Sequence, residues 1–216
     1  MADTKDSALP AATTLADADL LYIVQGGASK QATVGPVLKA WAGNVLNNTS
    51  GAAAAQTPAA TVRTYLSGSA ISVPTGKLRI GTFFQWRFDL TKTAAGSAAS
   101  TFDICFGTAG TTADTARVSF TKTAGTAAAD VGMVTIDALV RGPLSASGVV
   151  SGNFHLSHVG GATGLLGHCT EPNIDVNTIS GAFDVTVASL IVGVCITTGA
   201  SDAITIQQVI ATAGNL

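Results

Sequence analysis

Residues 77–92 read KLRIGTFFQWRFDLTK, and this stretch decides the fold class. Side chains alternate along an extended chain, so Leu78, Ile80, Phe84, Trp86, Phe88 and Leu90 share one face, interrupted only by Thr82. That face is expected to be core. The opposite face carries Arg79, Gly81, Phe83, Gln85, Arg87 and Asp89. An aromatic ring among an amide and charges suits a surface that meets another protein, and Phe83, Gln85 and Arg87 are expected at a subunit contact.

Working outward, strand-like runs recur toward the C-terminus, separated by Gly, Ala, Thr and Ser. TFDICF aligns Phe102, Ile104 and Phe106; TARVSF aligns Val118 and Phe120; MVTIDALVR aligns Val134, Ile136, Ala138 and Val140. GNFHLSH offers Phe154 and Leu156, NIDVNT offers Ile174 and Val176, and FDVTV offers Phe183, Val185 and Val187. LIVGVCI is apolar on both sides. AITIQQVIA changes phase between Ile206 and Val209, which predicts a β-bulge. Eight or nine strands without an intervening helix predict a mainly β fold, an antiparallel β-sandwich of jelly-roll type over residues 78–216.

The segment before the sandwich differs in character. LLYIVQ and KQATV, joined by Gly26 and Gly27, predict a small hairpin. Pro36 followed by Val37, Trp41 and Val45 at four-residue spacing predicts one short helix over 36–47. Residues 1–50 are therefore expected as an N-terminal segment that needs a surface to lie on. Residues 51–77, rich in Ala, Thr and Gly, are expected as a connector with a helical turn at AATVRTYL.

Composition narrows the function. Only 11% of residues are charged, against roughly 25% in an ordinary soluble domain, and Glu171 is the only glutamate. A formal charge of -2, with Lys and Arg scattered singly, provides no basic field for nucleic acid. The longest apolar run, VASLIVGVCI, is about half the roughly 20 residues needed to span a bilayer, so no membrane insertion is expected.

Candidate chemistry is sparse. His155, His158, His168 and Cys169 cluster in sequence, but three-residue spacing on a strand sends the first two imidazoles to opposite faces. Asp89, Asp103 and Asp184 each follow a phenylalanine and are expected to project away from the core as solvated groups or turn caps, not as an acid and base pair. Cys105 and Cys195 lie in strand-like runs, where a free cysteine behaves as a small hydrophobe. Neither a nucleophile elbow nor a phosphate loop occurs. No catalytic, cofactor-binding or metal-binding residues are expected.

The N-terminal stretch SALPAATTLADADLLYIVQGGASKQATVGPVLKAW resembles the short leader of many tailed-bacteriophage fibre and head or tail appendage proteins. It does so through Leu9-Pro10-Ala11-Ala12, the ADLLYIVQ strand, the Gly-Gly turn, the Lys-x-Ala-Thr-Val strand and the helix after them. Asp6 departs from the pattern, standing where such leaders often carry an apolar residue. The part from GTFFQWRFDLTKTAAG to ASDAITIQQVIA is similar to β-rich phage virion domains.

The resemblance implies a non-enzymatic virion structural protein, located on the virion and of capsid decoration or head-fibre type. Its leader would dock through Leu9, Pro10, Leu20, Leu21, Tyr22 and Ile23 on a major capsid protein or another virion protein. The sandwich would project as a homotrimer. The alternative is a tail fibre or spike tip that binds a host-surface receptor or glycan, with Trp86 or Tyr65 as stacking candidates.

Overall fold

A computed structural model of the protein describes residues 20–25, 28–33, 47–93, 96–144, 148–159, 162–165, 176–179 and 189–215, with backbone alone for 20–25, 28–33, 47–48, 176–179 and 189. The chain divides into two compact units, Met1–Val45 and Leu46–Leu216.

In the first unit, β1 (Leu20–Gln25) pairs antiparallel with β2 (Ala28–Thr33), and Leu20 lies opposite Thr33. This is the expected hairpin. Leu9, Pro10 and the residues expected as a helix up to Leu46 lie outside the described residues, and Asn47 already belongs to a strand.

The second unit is an antiparallel β-sandwich. Its strands are β3 (Asn47–Ala52), β4 (Thr64–Tyr65), β5 (Ile71–Pro74), β6 (Phe83–Lys92), β7 (Ser100–Gly107), β8 (Thr115–Lys122), β9 (Asp130–Val140), β10 (Val149–His158), β11 (Val176–Ile179), β12 (Ser189–Thr197) and β13 (Ile204–Gly214). One sheet has the order β11-β10-β9-β6-β13-β3; the other has β4-β12-β7-β8, with β5 also paired to β12. The ladders β6 with β13, β7 with β12 and β9 with β10 are nested in sequence, as when a long folded ribbon is rolled into a jelly roll.

Alternation explains the packing. Along β6, exposed and buried positions alternate from Phe83 onward, and Phe84, Trp86, Phe88 and Leu90 are all buried. They face Phe102, Ile104 and Phe106 of β7, Val118 and Phe120 of β8, and Val192, Val194 and Ile196 of β12 in one apolar cluster. Aromatic contacts tie the sheets together: Phe84 meets Phe106 edge-on at 5.9 Å between ring centroids, and Phe102 meets Phe154 at 5.0 Å. Each such side chain contributes about 1.5–3 kcal/mol on burial. The indole N–H of Trp86 donates to the Ser69 carbonyl at 2.8 Å, so the ring is buried without leaving its donor unsatisfied.

The phase change in β13 is a bulge. Ile206 lies opposite Leu90 and Gln208 opposite Asp89, leaving Gln207 as the extra residue. Both glutamines are exposed, while Ile206 and Val209 are buried.

Three expectations need correction. Ile80 is 64% exposed and not in the core. Strand β6 begins only at Phe83, because residues 79–82 turn: Thr82 N–H donates to the Arg79 carbonyl at 3.0 Å, and Gly81 has φ of 89°. Alternation cannot be extended back through a residue with positive φ. Next, AATVRTYL forms no helical turn but a bridge from Ala60 to Thr198, a bend, and then β4. Finally, residues 51–77 carry β4, β5 and the end of β3, all paired within the sandwich. Ile174, Phe183, Val185 and Val187 lie outside the described residues.

Candidate functional site

The outward face of the six-stranded sheet carries the expected contact residues. Phe83, Gln85, Arg87 and Asp89 all point outward and are exposed on β6, since their neighbours in sequence fill the core. Cross-strand register sets their surroundings. Phe83 lies opposite Leu139, Gln85 opposite Asp137 and Arg87 opposite Thr135 on β9, while Ile210 of β13 flanks Arg87 from the other side. Phe83, Leu139 and Ile210 are 38%, 37% and 47% exposed. Gln85 donates its amide to the Asp137 carboxylate at 2.8 Å, which fixes both side chains on the surface.

Asn153 and His155 of β10 extend the same rows beyond Asp137 and Thr135. A shallow depression of about 200 Å³ lies among Phe83, Asp137, Leu139, Ser151 and Asn153, and a second of about 370 Å³ among Asp89, Thr91, Val131, Met133 and Ser157. The face thus offers Phe83, Leu139, Ile210 and, farther along β9, Val131 as large exposed apolar groups around a strip of amides and charges.

Its two carboxylates are poorly placed for paired acid and base work. Asp89 lies opposite Met133, four residues along β9 from Asp137. Four residues of strand span about 13 Å, whereas glycosidase carboxylates stand about 5 to 9.5 Å apart.

The histidine cluster divides as its spacing implies. His155 is exposed, with Nε2 3.1 Å from Ser157 Oγ. His158 turns the other way, its Nδ1 3.2 Å from the buried carboxylate of Asp130. His168 and Cys169 lie outside the described residues. Among the described residues no group of three or more His, Cys, Asp or Glu side chains is placed to hold a metal ion.

A second polar cluster, which sequence reading missed, lies on the outward face of the other sheet. Asp103 does project away from the core, but it is buried under Arg63, whose Nε donates to Asp103 Oδ2 at 2.9 Å. The same guanidinium donates to the carbonyls of Thr112 and Asp114 at 2.7 and 3.1 Å and to Cys105 Sγ at 3.0 Å. Ser119 Oγ donates to the other Asp103 oxygen at 2.7 Å. Cys105 and Cys195 meet there, with Sγ atoms 3.2 Å apart.

The two thiols share protons as a pair. The S–H of Cys105 bonds to the Cys195 sulfur and holds the Cys195 thiol below its ordinary value, against burial and with help from Arg63. That same bond, and then burial, push Cys105 up. Tyr65 of β4 lies opposite Cys195, and a Cβ at Gly193 would collide with its ring, so only glycine fits beneath it. Burial, and then the neighbouring Cys105, raise the Tyr65 hydroxyl. The one signal for this layer in the sequence was that LIVGVCI is apolar on both faces, which requires cover on both.

Trp86 is fully buried and cannot stack on a ligand, whereas Tyr65 is half-buried with its hydroxyl turned inward.

No protein-family model and no curated protein matches the chain. Two solved structures are similar in outline. One is the CBM2 module of the evolved Dit of Lactobacillus casei BL23 phage J-1, 8% identical over 74% of this chain and 76% of that one, with a TM-score of 0.29. The other is a mutant of alginate lyase Aly36B in complex with alginate trisaccharide, 10% identical over 93% of this chain and 100% of that one, also with a TM-score of 0.29. At these scores neither likeness says what this chain binds or does.

Proposed function

We propose that the chain is a non-enzymatic structural protein of a tailed-bacteriophage virion, of capsid decoration or head-fibre type. Its N-terminal segment docks on a major capsid protein or another virion protein through Leu9, Pro10 and the β1 residues Leu20, Leu21, Tyr22 and Ile23. The sandwich associates as a homotrimer through the face that carries Phe83, Gln85 and Arg87.

The observation behind this proposal is that face. Phe83, Leu139 and Ile210 stay exposed around the Gln85–Asp137 hydrogen bond and Arg87, a mixture of apolar and hydrogen-bonding groups typical of an interface between subunits. The N-terminal resemblance supplies the virion. Replacing Leu21 and Ile23 together with Asp is expected to leave a folded sandwich that no longer joins particles during assembly. Variant protein recovered on purified virions at the wild-type level would sink the docking role.

The depression beside Phe83 and Asn153 favours a second reading, a tail fibre or spike tip that holds a host-surface receptor or glycan there. Purified protein that binds host cells, and loses that binding on Asn153→Ala, would select it over the head-fibre reading.

A further inference from the structure

Cys105 and Cys195 are separated by 90 residues in sequence yet stand on adjacent strands. Cys105 lies opposite Gly193 and Cys195 opposite Asp103, so the two are diagonal neighbours. Both point away from the core between the sheets, which Ile104, Phe106, Val194 and Ile196 fill. Their sulfurs approach to 3.2 Å. Closing an S–S bond of about 2.05 Å asks for Cβ atoms about 3.5–4.5 Å apart, and a diagonal pair starts at roughly 7–8 Å or somewhat less, so β7 and β12 must draw together locally as the side chains rotate.

Two further features separate this pair from packing thiols. First, Arg63 presses a guanidinium N–H on Cys105 Sγ at 3.0 Å, and that guanidinium is itself held by Asp103, Thr112 and Asp114. A cation fixed beside a thiol favours the thiolate, which is the nucleophilic form. Second, the cover is slight. Both sulfurs are buried, but what covers them on this outward face is the side chains of Arg63 and Tyr65, and Tyr65 belongs to β4, a two-residue strand at the edge of the sheet. An element that short opens locally at low cost, so a small solute reaches what lies under it.

We propose that Cys105 and Cys195 are an oxidation site at which a small hydroperoxide closes an intramolecular disulfide between β7 and β12. A thiolate on one sulfur of the pair attacks an oxygen of hydrogen peroxide; the O–O bond breaks, hydroxide leaves, and a sulfenic acid remains on that sulfur. The other sulfur then attacks the sulfenic sulfur, the S–S bond forms, the S–O bond breaks, and the departing hydroxide takes the attacking thiol's proton and leaves as water. The two sulfurs give up two electrons in all, and the first hydroxide takes up the proton released when the thiolate formed, so one hydrogen peroxide becomes two waters. Arg63 is a positioning residue, holding the negative charge on the sulfur pair while the solute approaches.

The closed bond cross-links positions far apart in sequence at the centre of the five-stranded sheet, and so restricts the unfolded chain most where loop closure is costliest. A protein assembled in a reducing cytoplasm and released outside the cell would gain this staple after release.

The test uses the full chain carrying Cys169→Ser, purified reduced and then treated with dilute hydrogen peroxide. Native protein is denatured in an alkylating maleimide and weighed intact. The expected result is loss of both alkylation sites and of two hydrogens from the mass, with a cross-linked peptide joining Cys105 to Cys195. Melting should rise on the order of 5–10 °C and return on adding dithiothreitol. Arg63→Gln should slow closure on the order of tenfold at neutral pH, with the difference shrinking at alkaline pH, where thiolate no longer needs the cation. Two thiols still fully alkylated after peroxide, or oxidation that stops at sulfinic acid without a cross-link, overturns the proposal, and neither result depends on any further variant folding.

Discussion

Tyr65 shows how one side chain can be tolerated at a cost. Its ring fits only because position 193 is glycine, and its hydroxyl is buried with no hydrogen-bond partner among the described residues. An unpaired buried hydroxyl costs about 1–3 kcal/mol. Tyr65→Phe is therefore expected to leave thermal stability unchanged or raise it by about 1 kcal/mol, as chemical denaturation would measure. pH dependence gives an independent check. The folded-state pKa of Tyr65 lies above the free phenol's 10.0, because burial disfavours the phenolate. Its neutral form therefore supports the fold fully below pH 10.0, and that support is lost as pH rises beyond it. Wild type should lose stability more steeply above that pH than Tyr65→Phe. Equal slopes for the two proteins would show that the hydroxyl is solvated when folded.

The same neighbourhood marks the limit of sequence reading at this scale. Alternation placed Asp103 and Cys105 on the side away from Phe102, Ile104 and Phe106, and that is where they lie. It could not say that the far side is covered, because the cover comes from Arg63 and Tyr65, some 40 residues earlier in a stretch with no periodic signal. Long-range pairing of a charge with its partner leaves no trace in a single sequence.

At the scale of the element, the bulge in β13 makes the sharpest prediction. Gln207 and Gln208 together oppose one residue, Asp89, and both face outward. Removing one glutamine therefore restores a regular ladder without exchanging faces: Ile206 and Val209 stay buried, and one outward residue separates each from the next. That deletion should keep the fold, losing about 1–2 kcal/mol with the bulge's local twist and the Gln207 bond to Thr91. Deleting Gln85 instead moves Phe84 or Trp86 to solvent, because a one-residue slip turns a whole strand over. It should abolish folding. Circular dichroism and melting of the two deletions decide the matter, and a glutamine deletion as damaging as the Gln85 deletion would mean the bulge itself sets the curvature of the sheet. Phase was legible here because apolar side chains recorded it on both sides of the bulge. It misled at Ile80, where an apolar residue sits before a left-handed glycine and the alternation carries no information about face.

For the molecule as a whole, the decisive issue is what covers the outward face of the six-stranded sheet. Folding of the sandwich is accounted for by the cluster between its sheets, to which Phe83 and Arg87 contribute nothing. A double substitution, Phe83→Ser with Arg87→Ala, therefore tests association apart from folding. Phe83 is already exposed, so its loss should move the melting temperature of an isolated sandwich by only a few degrees. If three copies bury this face together, the ring contributes on the order of 1–3 kcal/mol at each contact. With three contacts broken at once, light scattering should find a trimer for the wild type and a monomer for the variant at micromolar concentration. A wild-type chain that is monomeric at every concentration, or a variant that stays trimeric, removes this face from the interface. The register is what makes the choice of residues informative: Phe83 and Arg87 stand two pairs apart, with the Gln85–Asp137 bond between them, so the substitution removes one apolar and one charged group on either side of the hydrogen-bonded centre and leaves that centre intact.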